Sequence, residues 1–261
     1  MIKKILSVIM LILLLQVMSI ASEELTFVSK DKETKETLKV KDKTFTHSIT
    51  YSYPELTGYK DKTAEDTFNK YISSIITKDV EDFQKEIKEA EKGMADSDMP
   101  AELLQSYFNI EYSLINKTSD LISIKFLTEV YYAGAAHPSH AIWAVNYSLT
   151  SGKAINLLDL FKKDSNYLSV LSDYSIKELS KKAKENGKEL GYEPDYNWIK
   201  EGASPKEENF TCFNMTEKDL IIHFNEYQVD CYAAGPKEVI IPYSTLKDII
   251  EPAGPAGGFI K

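Results

Sequence analysis

Ile122-Ser123-Ile124-Lys125-Phe126-Leu127-Thr128-Glu129-Val130-Tyr131-Tyr132, followed closely by Trp143-Ala144-Val145-Asn146-Tyr147-Ser148-Leu149, is the stretch from which the fold is read. Side chains along a strand point alternately to its two faces. Ile122, Ile124, Phe126, Thr128, Val130 and Tyr132 therefore share one face, and Ser123, Lys125, Leu127 and Glu129 the other. Trp143, Val145, Tyr147 and Leu149 repeat the pattern. Between the runs stands Gly134-Ala135-Ala136-His137-Pro138, a connector suited to an antiparallel pair, and Thr150-Ser151-Gly152-Lys153 is the next turn.

Working outward, the period changes to that of a helix from Thr63 to about Lys92. Phe68, Ile72, Ile75, Ile76, Val80, Phe83 and Ile87 make one apolar stripe, with Thr63 and Asp66 resembling a capping box and Gly93 as the stop. A single stripe on a long helix calls for a sheet to pack against. Upstream, Leu25 to Val28, Leu38 to Val40 and Phe45 to Tyr51 read as strands. Downstream, a second helix is expected from Ser165 to Gly187, then an irregular stretch from Pro194 to Pro205. Strands follow at Phe210–Phe213, Leu220–Tyr227 and Val239–Ile241, with a short helix at Ser244–Ile250. Strands and helices are grouped rather than alternating, so the expected class is α+β, with antiparallel sheets packed against two main helices.

The chain has 261 residues and a net charge of −9, and every one of its 31 basic residues is lysine. An acidic chain without arginine lacks the basic face and guanidinium forks of a nucleic-acid binder. With 43% hydrophobic residues it is not a disordered acidic polymer either. Met1 to Lys4 is basic, Ile5 to Leu15 is apolar, and Ser19-Ile20-Ala21 places small residues at a cleavage site, the three-part pattern of an export signal. The rival is an uncleaved anchor helix, against which Gln16 and the short apolar run count. Cleavage after Ala21 would remove Lys3 and Lys4 and no acid, taking the net charge from −9 to −11. The expected location is secreted or periplasmic, with no membrane span after cleavage. In an oxidising compartment Cys212 and Cys231 are candidates for a bridge over about 20 residues, worth about 3 kcal/mol, against the alternative of two buried thiols.

Chemistry is harder to locate. His137-Pro138-Ser139-His140 places two imidazoles three apart, but Pro138 breaks any helix and no acid lies within five residues, so no metal is expected there. No nucleophile elbow, phosphate loop, dinucleotide fingerprint or zincin motif is present, and no catalytic residue or cofactor is read. The sixteen tyrosines say more. Tyr131, Tyr132, Tyr147, Tyr227 and Tyr232 cluster in sequence beside the connector at Gly134 and a second one, Ala233-Ala234-Gly235-Pro236, where tyrosine contributes contact area and a hydroxyl at little entropy cost.

Tyr131-Tyr132-Ala133-Gly134-Ala135-Ala136-His137-Pro138, the run from Asn146 through Leu149, Gly152-Lys153 and Leu158-Asp159-Leu160-Phe161, and the closing stretch Phe224 to Gly235 with Ile240-Ile241-Pro242-Tyr243 resemble a bacterial exported domain. That domain forms the extracellular part of lysozyme-sensing anti-sigma factors and lies beside the catalytic domain of a peptidoglycan deacetylase. The resemblance spans Tyr107 to Ile250, and the earlier strands and long helix resemble the segment that usually precedes it. Ala135 replaces the family's second glycine, which predicts a less permissive connector, and Cys231 stands where the family often has proline. Neither a sigma-binding segment nor a deacetylase domain is read in these residues, so neither activity is carried over. The expected organisation is a signal at 1–21, a strand-and-long-helix segment at 22–106, the family core at 107–251 and a flexible tail at 252–261.

The resemblance and the charge together imply a non-catalytic binding domain of the cell envelope that recognises lysozyme or a similar wall-related protein. Tyr131, Tyr132, His137, Tyr232 and Pro236 are its expected contact edge. The alternatives are a peptidoglycan- or glycan-binding module and, third, a metal-dependent hydrolase built on His137 and His140.

Overall fold

The computed structural model describes residues 25–100 and 103–260, with only the backbone of Leu190; the expected export signal lies outside the described residues. Six strands form one sheet in the order β1 (Thr26–Val40), β2 (Lys43–Thr57), β3 (Gln105–Lys117), β4 (Leu121–Tyr131), β5 (Ser139–Ser148) and β6 (Lys153–Ala154). A second sheet contains β7 (Phe213–Met215), β8 (Asp219–Phe224) and β9 (Lys237–Pro242). The helices are α1 (Lys62–Gly93), α2 (Tyr167–Leu190), α3 (Tyr196–Gly202) and α4 (Tyr243–Leu246). The class is α+β.

One strand pair departs from expectation. β2 and β3 run parallel, Thr46 beside Gln105 through Tyr51 beside Ile110, while the remaining pairs are antiparallel. A parallel pair needs a crossover, and α1 is that crossover. The unit is βαβ, which grouping elements by type did not reveal.

α1 begins one residue early because Asp61, not Thr63, is its cap: the Asp61 carboxylate accepts from the backbone N–H groups of Thr63 and Ala64, both at 3.0 Å. Phe68, Ile72, Ile76, Phe83 and Ile87 are buried against Ile49, Phe108, Ile110, Ile122, Ile124 and Phe126 of the sheet. Asn69 fastens the helix laterally, accepting from Leu56 N–H at 2.8 Å and donating to Leu56 C=O at 2.9 Å. Near the other end the buried His47 ring lies between Glu91 of α1, with Nδ1 to Oε1 at 3.2 Å, and Glu36 of β1, at 3.4 Å from Nε2. Burial pushes the Glu91 carboxyl up, and His47 opposes that shift.

The opposite face of β4, which carries Ser123, Lys125, Leu127 and Glu129, is covered at Ser123. Ser123 is fully buried because the second sheet packs there, and its hydroxyl joins a hydrogen-bonded seam between the two sheets. Ser123 Oγ donates to Asn146 Oδ1 (2.7 Å) and accepts from Asn214 Nδ2 (2.9 Å) and Met215 N–H (3.1 Å). Asn146 Nδ2 donates to Phe213 C=O, and Asn214 Oδ1 lies 2.8 Å from His223 Nε2. His223 Nδ1 in turn lies 3.1 Å from Glu238, which Lys125 also reaches at 3.0 Å. His223 and Lys125 hold the Glu238 carboxyl down at about 2.

A second core gathers α2, α3 and the three-stranded sheet around Leu171, Leu179, Ile199, Phe210, Ile222 and Ile241. α2 runs past Gly187 and ends at Gly191, whose φ of +76° supplies the left-handed cap. The Pro194–Pro205 stretch is not irregular throughout, since Asp195 caps α3 within it. Residues 252–260, expected as a flexible tail, fold back: Ala256 is fully buried and the Phe259 ring stacks on Tyr243 with centroids 5.7 Å apart. Phe259 and Ile260 supply the apolar surface that a mobile tail would lack. No helix among the described residues is long and apolar enough to cross a membrane.

Candidate functional site

The antiparallel register of β3, β4 and β5 assembles one edge of the molecule. Tyr107 pairs with Tyr131, and Glu129 pairs with His140. The Tyr107 and Tyr131 rings stack at 5.6 Å, and the Tyr107 hydroxyl donates to Glu129 Oε1 at 2.7 Å. Burial first, then that carboxylate, pushes the Tyr107 phenol up to about 12.

The loop after β8 closes the edge from the other sheet. Asn225 copies a strand partner, accepting from Ile142 N–H at 2.6 Å and donating to Ile142 C=O at 2.9 Å. That docking brings Glu226 onto His140, with Oε1 2.9 Å from Nδ1 and the backbone N–H reaching Oε2 at 3.3 Å. His140 Nε2 lies 3.7 Å from Glu129, so one imidazole bridges two carboxylates from distant parts of the chain. Tyr232 completes the group. Its ring stacks on His137 at 3.9 Å, its hydroxyl donates to Pro138 C=O at 2.8 Å, and Tyr227 lies 5.9 Å away. Tyr227 adopts φ +63° and remains exposed.

The expected contact set divides. Tyr131, His137 and Tyr232 meet at this edge. Tyr132, one residue along the chain, points to the opposite face as strand alternation requires; its hydroxyl donates to Glu86 of α1 at 2.9 Å and its ring lies 6.0 Å from Phe83. Burial and Glu86 push its phenol up to about 12. Pro236 is exposed just before β9, and among the described residues no ring contact of the cluster includes it. The connector's left-handed position is Gly134, with φ +79°; Ala135 has no positive φ, so the substitution there imposes no strain.

Tyr107, Glu129 and Glu226 are the residues that local reading missed, and His140, weighed there as a metal ligand, stands instead between two carboxylates. Counting the hairpin register would have paired Glu129 with His140. Nothing local announces Glu226, which arrives from 86 residues away. His137 and His140 do not converge: His137 Nδ1 faces its neighbour's carbonyl, on Pro138, at 2.8 Å. Among the described residues no group of three or more His, Cys, Asp or Glu side chains is arranged to hold a metal ion. The expected bridge between Cys212 and Cys231 is also absent from the structure, and both thiols are free. Cys212 Sγ donates to Ile142 C=O at 3.3 Å and its thiol is pushed up to about 12 by burial, whereas Cys231 is exposed on the loop before Tyr232. The two cysteines flank β8 without a hairpin that would face them.

A second concavity lies at the other end of β5. It has a volume of about 510 Å³ and is bounded by β5, β6, the segment 154–159, the start of α2 and residues 207–213.

Two family models match the chain. Residues 158–244 match the one described as a protein of unknown function, DUF3298, and residues 39–140 match the one described as Deacetylase PdaC. The resemblance read from the motifs is therefore to a domain of unknown function that accompanies a deacetylase. A peptidoglycan-N-acetylmuramic acid deacetylase of Bacillus subtilis (strain 168), PdaC, is 28% identical over 209 residues, 80% of this chain. The chain spans about two fifths of that relative's length. A DUF3298 family structure from Bacteroides fragilis NCTC 9343 covers 92% of this chain and 99% of its own, with TM-score 0.63 and 18% identity. Another, from Pseudomonas aeruginosa PAO1, covers 90% and 97% with TM-score 0.53 and 12% identity. These two likenesses concern the fold.

Proposed function

We propose that the protein is an exported, wall-associated binding module that recognises a basic protein of the lysozyme kind through the edge carrying Tyr131, His137 and Tyr232. The observation that carries this reading is the edge itself: aromatic rings at the surface, backed by the carboxylates of Glu129 and Glu226. Aromatic side chains bring contact area at small entropic cost, and fixed carboxylates behind them favour a cationic partner. A net charge of −11 after loss of residues 1–21 speeds encounter with such a partner. A relative named for acting on peptidoglycan supports a place at the cell wall.

Calorimetric titration of residues 22–261 with lysozyme, at low and moderate salt, tests the reading. Micromolar or tighter binding that weakens but survives at moderate salt is expected, and Tyr232→Ala should abolish it with an unchanged melting temperature. No heat at either salt would overturn it. So would full affinity in a chain carrying Tyr131→Ala, His137→Ala and Tyr232→Ala together.

A further inference from the structure

The cleft of about 510 Å³ at the β6 end of β5 has the size of a small-molecule site. Its position is set by the seam between the sheets. Asn146 lies on its floor, with amide oxygen and nitrogen already committed to Ser123 and Phe213. One wall is the turn around Asn156 to Asp159. Ile155 N–H donates to Asn146 C=O at 2.7 Å, and Asn156 N–H donates to Asp159 Oδ2 at 2.8 Å. The returning C-terminal segment braces this wall, Glu251 N–H donating to Leu160 C=O at 2.9 Å. Glu207 and Tyr167 also line the cleft.

Two carboxylates therefore line the cleft, Asp159 held by the Asn156 N–H, and both keep acceptor positions free for a ligand. Half-buried Tyr71, whose ring lies 5.3 Å from Tyr147, and Leu158, 56% exposed, line it as well. Among the described residues no lysine or histidine lines the cleft. Such a lining repels an acidic ligand and offers acceptors to a ligand rich in donors, with an aromatic ring and an aliphatic side chain for its apolar side.

We propose that this cleft binds a short saccharide that carries hydroxyl or free amino groups and no acid. Asp159 and Glu207 accept from its donors, and Tyr71 packs on its ring. His140 and Asn146 are six residues apart on β5, so the cleft lies about 20 Å from the tyrosine edge. The proposal does not rest on the protein-partner reading, and either can fail alone.

The test titrates the purified full chain, observed by NMR, with chitotriose, with its fully deacetylated counterpart and with an acidic trisaccharide of galacturonate. Both chitin-derived trisaccharides are expected to perturb residues around Asn156 and Glu207, the amine-bearing one at lower concentration, while the galacturonate does not. Glu207→Gln and Asp159→Asn, which keep shape, should each weaken the amine-bearing ligand roughly tenfold without moving the melting temperature. Tyr232→Ala should leave saccharide binding unchanged. Absence of perturbation by either chitin-derived ligand at millimolar concentration would overturn the proposal. So would equal binding of the galacturonate, or full affinity in the Glu207→Gln, Asp159→Asn double variant.

Discussion

The two faces of β4 are held by different physics. On one, Ile122, Ile124 and Phe126 meet the stripe of α1 in a wholly apolar layer. On the other, Ser123 opens a polar chain through Asn146, Asn214 and His223 to Glu238 and Lys125. The apolar layer is stabilised by area removed from water, roughly in proportion to that area and with little demand on direction. The seam is stabilised only while every donor meets its acceptor, because a buried group left alone costs its full desolvation. The first kind of contact tolerates small displacements, and the second specifies one register of sheet on sheet.

Phe126→Ala attacks the apolar side and should have the largest effect. The ring is fully buried and stacks on Trp143 with centroids 4.0 Å apart, so a loss of about 3–5 kcal/mol is expected in urea unfolding. A loss under about 1 kcal/mol would mean the layer collapses around the cavity. On the seam, Asn214→Ala strands His223 Nε2 and takes one donor away from Ser123 Oγ, and should cost about 1–3 kcal/mol. Paired with His223→Ala in a double-mutant cycle, it should show coupling, and strict additivity would mean the seam is a set of independent contacts.

Asp61→Ala should cost about 1 kcal/mol by removing the cap of α1, leaving the seam untouched and ligand binding unaltered. The smallest effect belongs to Glu238→Gln, whose side chain is 42% exposed and screened by water. Its signature is pH. The folded carboxyl titrates at about 2, against an ordinary value of 4.5, so in acid the unfolded chain takes up the proton first. Stability present above about 4.5 should drain away as the pH falls towards 2, and Glu238→Gln should flatten that decline. Equal declines of the urea midpoint between pH 6 and pH 3 in both proteins would remove Glu238 from the account.

The tyrosine edge shows how far local reading reaches. The structure brings Tyr131, beside the first connector, and His137, within it, to the same edge as Tyr232, which precedes the second connector. Tyr132 was misplaced because adjacency in sequence reads as adjacency in space, whereas in a strand it means opposite faces. Glu226 and the thiols of Cys212 and Cys231 depend on how the second sheet docks. No pattern within either segment contains that information.

The amino-acid sequence by itself determined the long amphipathic helix, the alternating strands, the positions of the connectors and the acidic surface. Each of those follows from side chains a few residues apart, where period and propensity act directly. Tertiary structure alone decided the parallel pairing of β2 with β3, the polar seam between the sheets, the carboxylates gathered on His140 and the cleft between Asp159 and Glu207. Those arrangements join residues dozens of positions apart, and their free energy exists only once the chain has closed the loops between them.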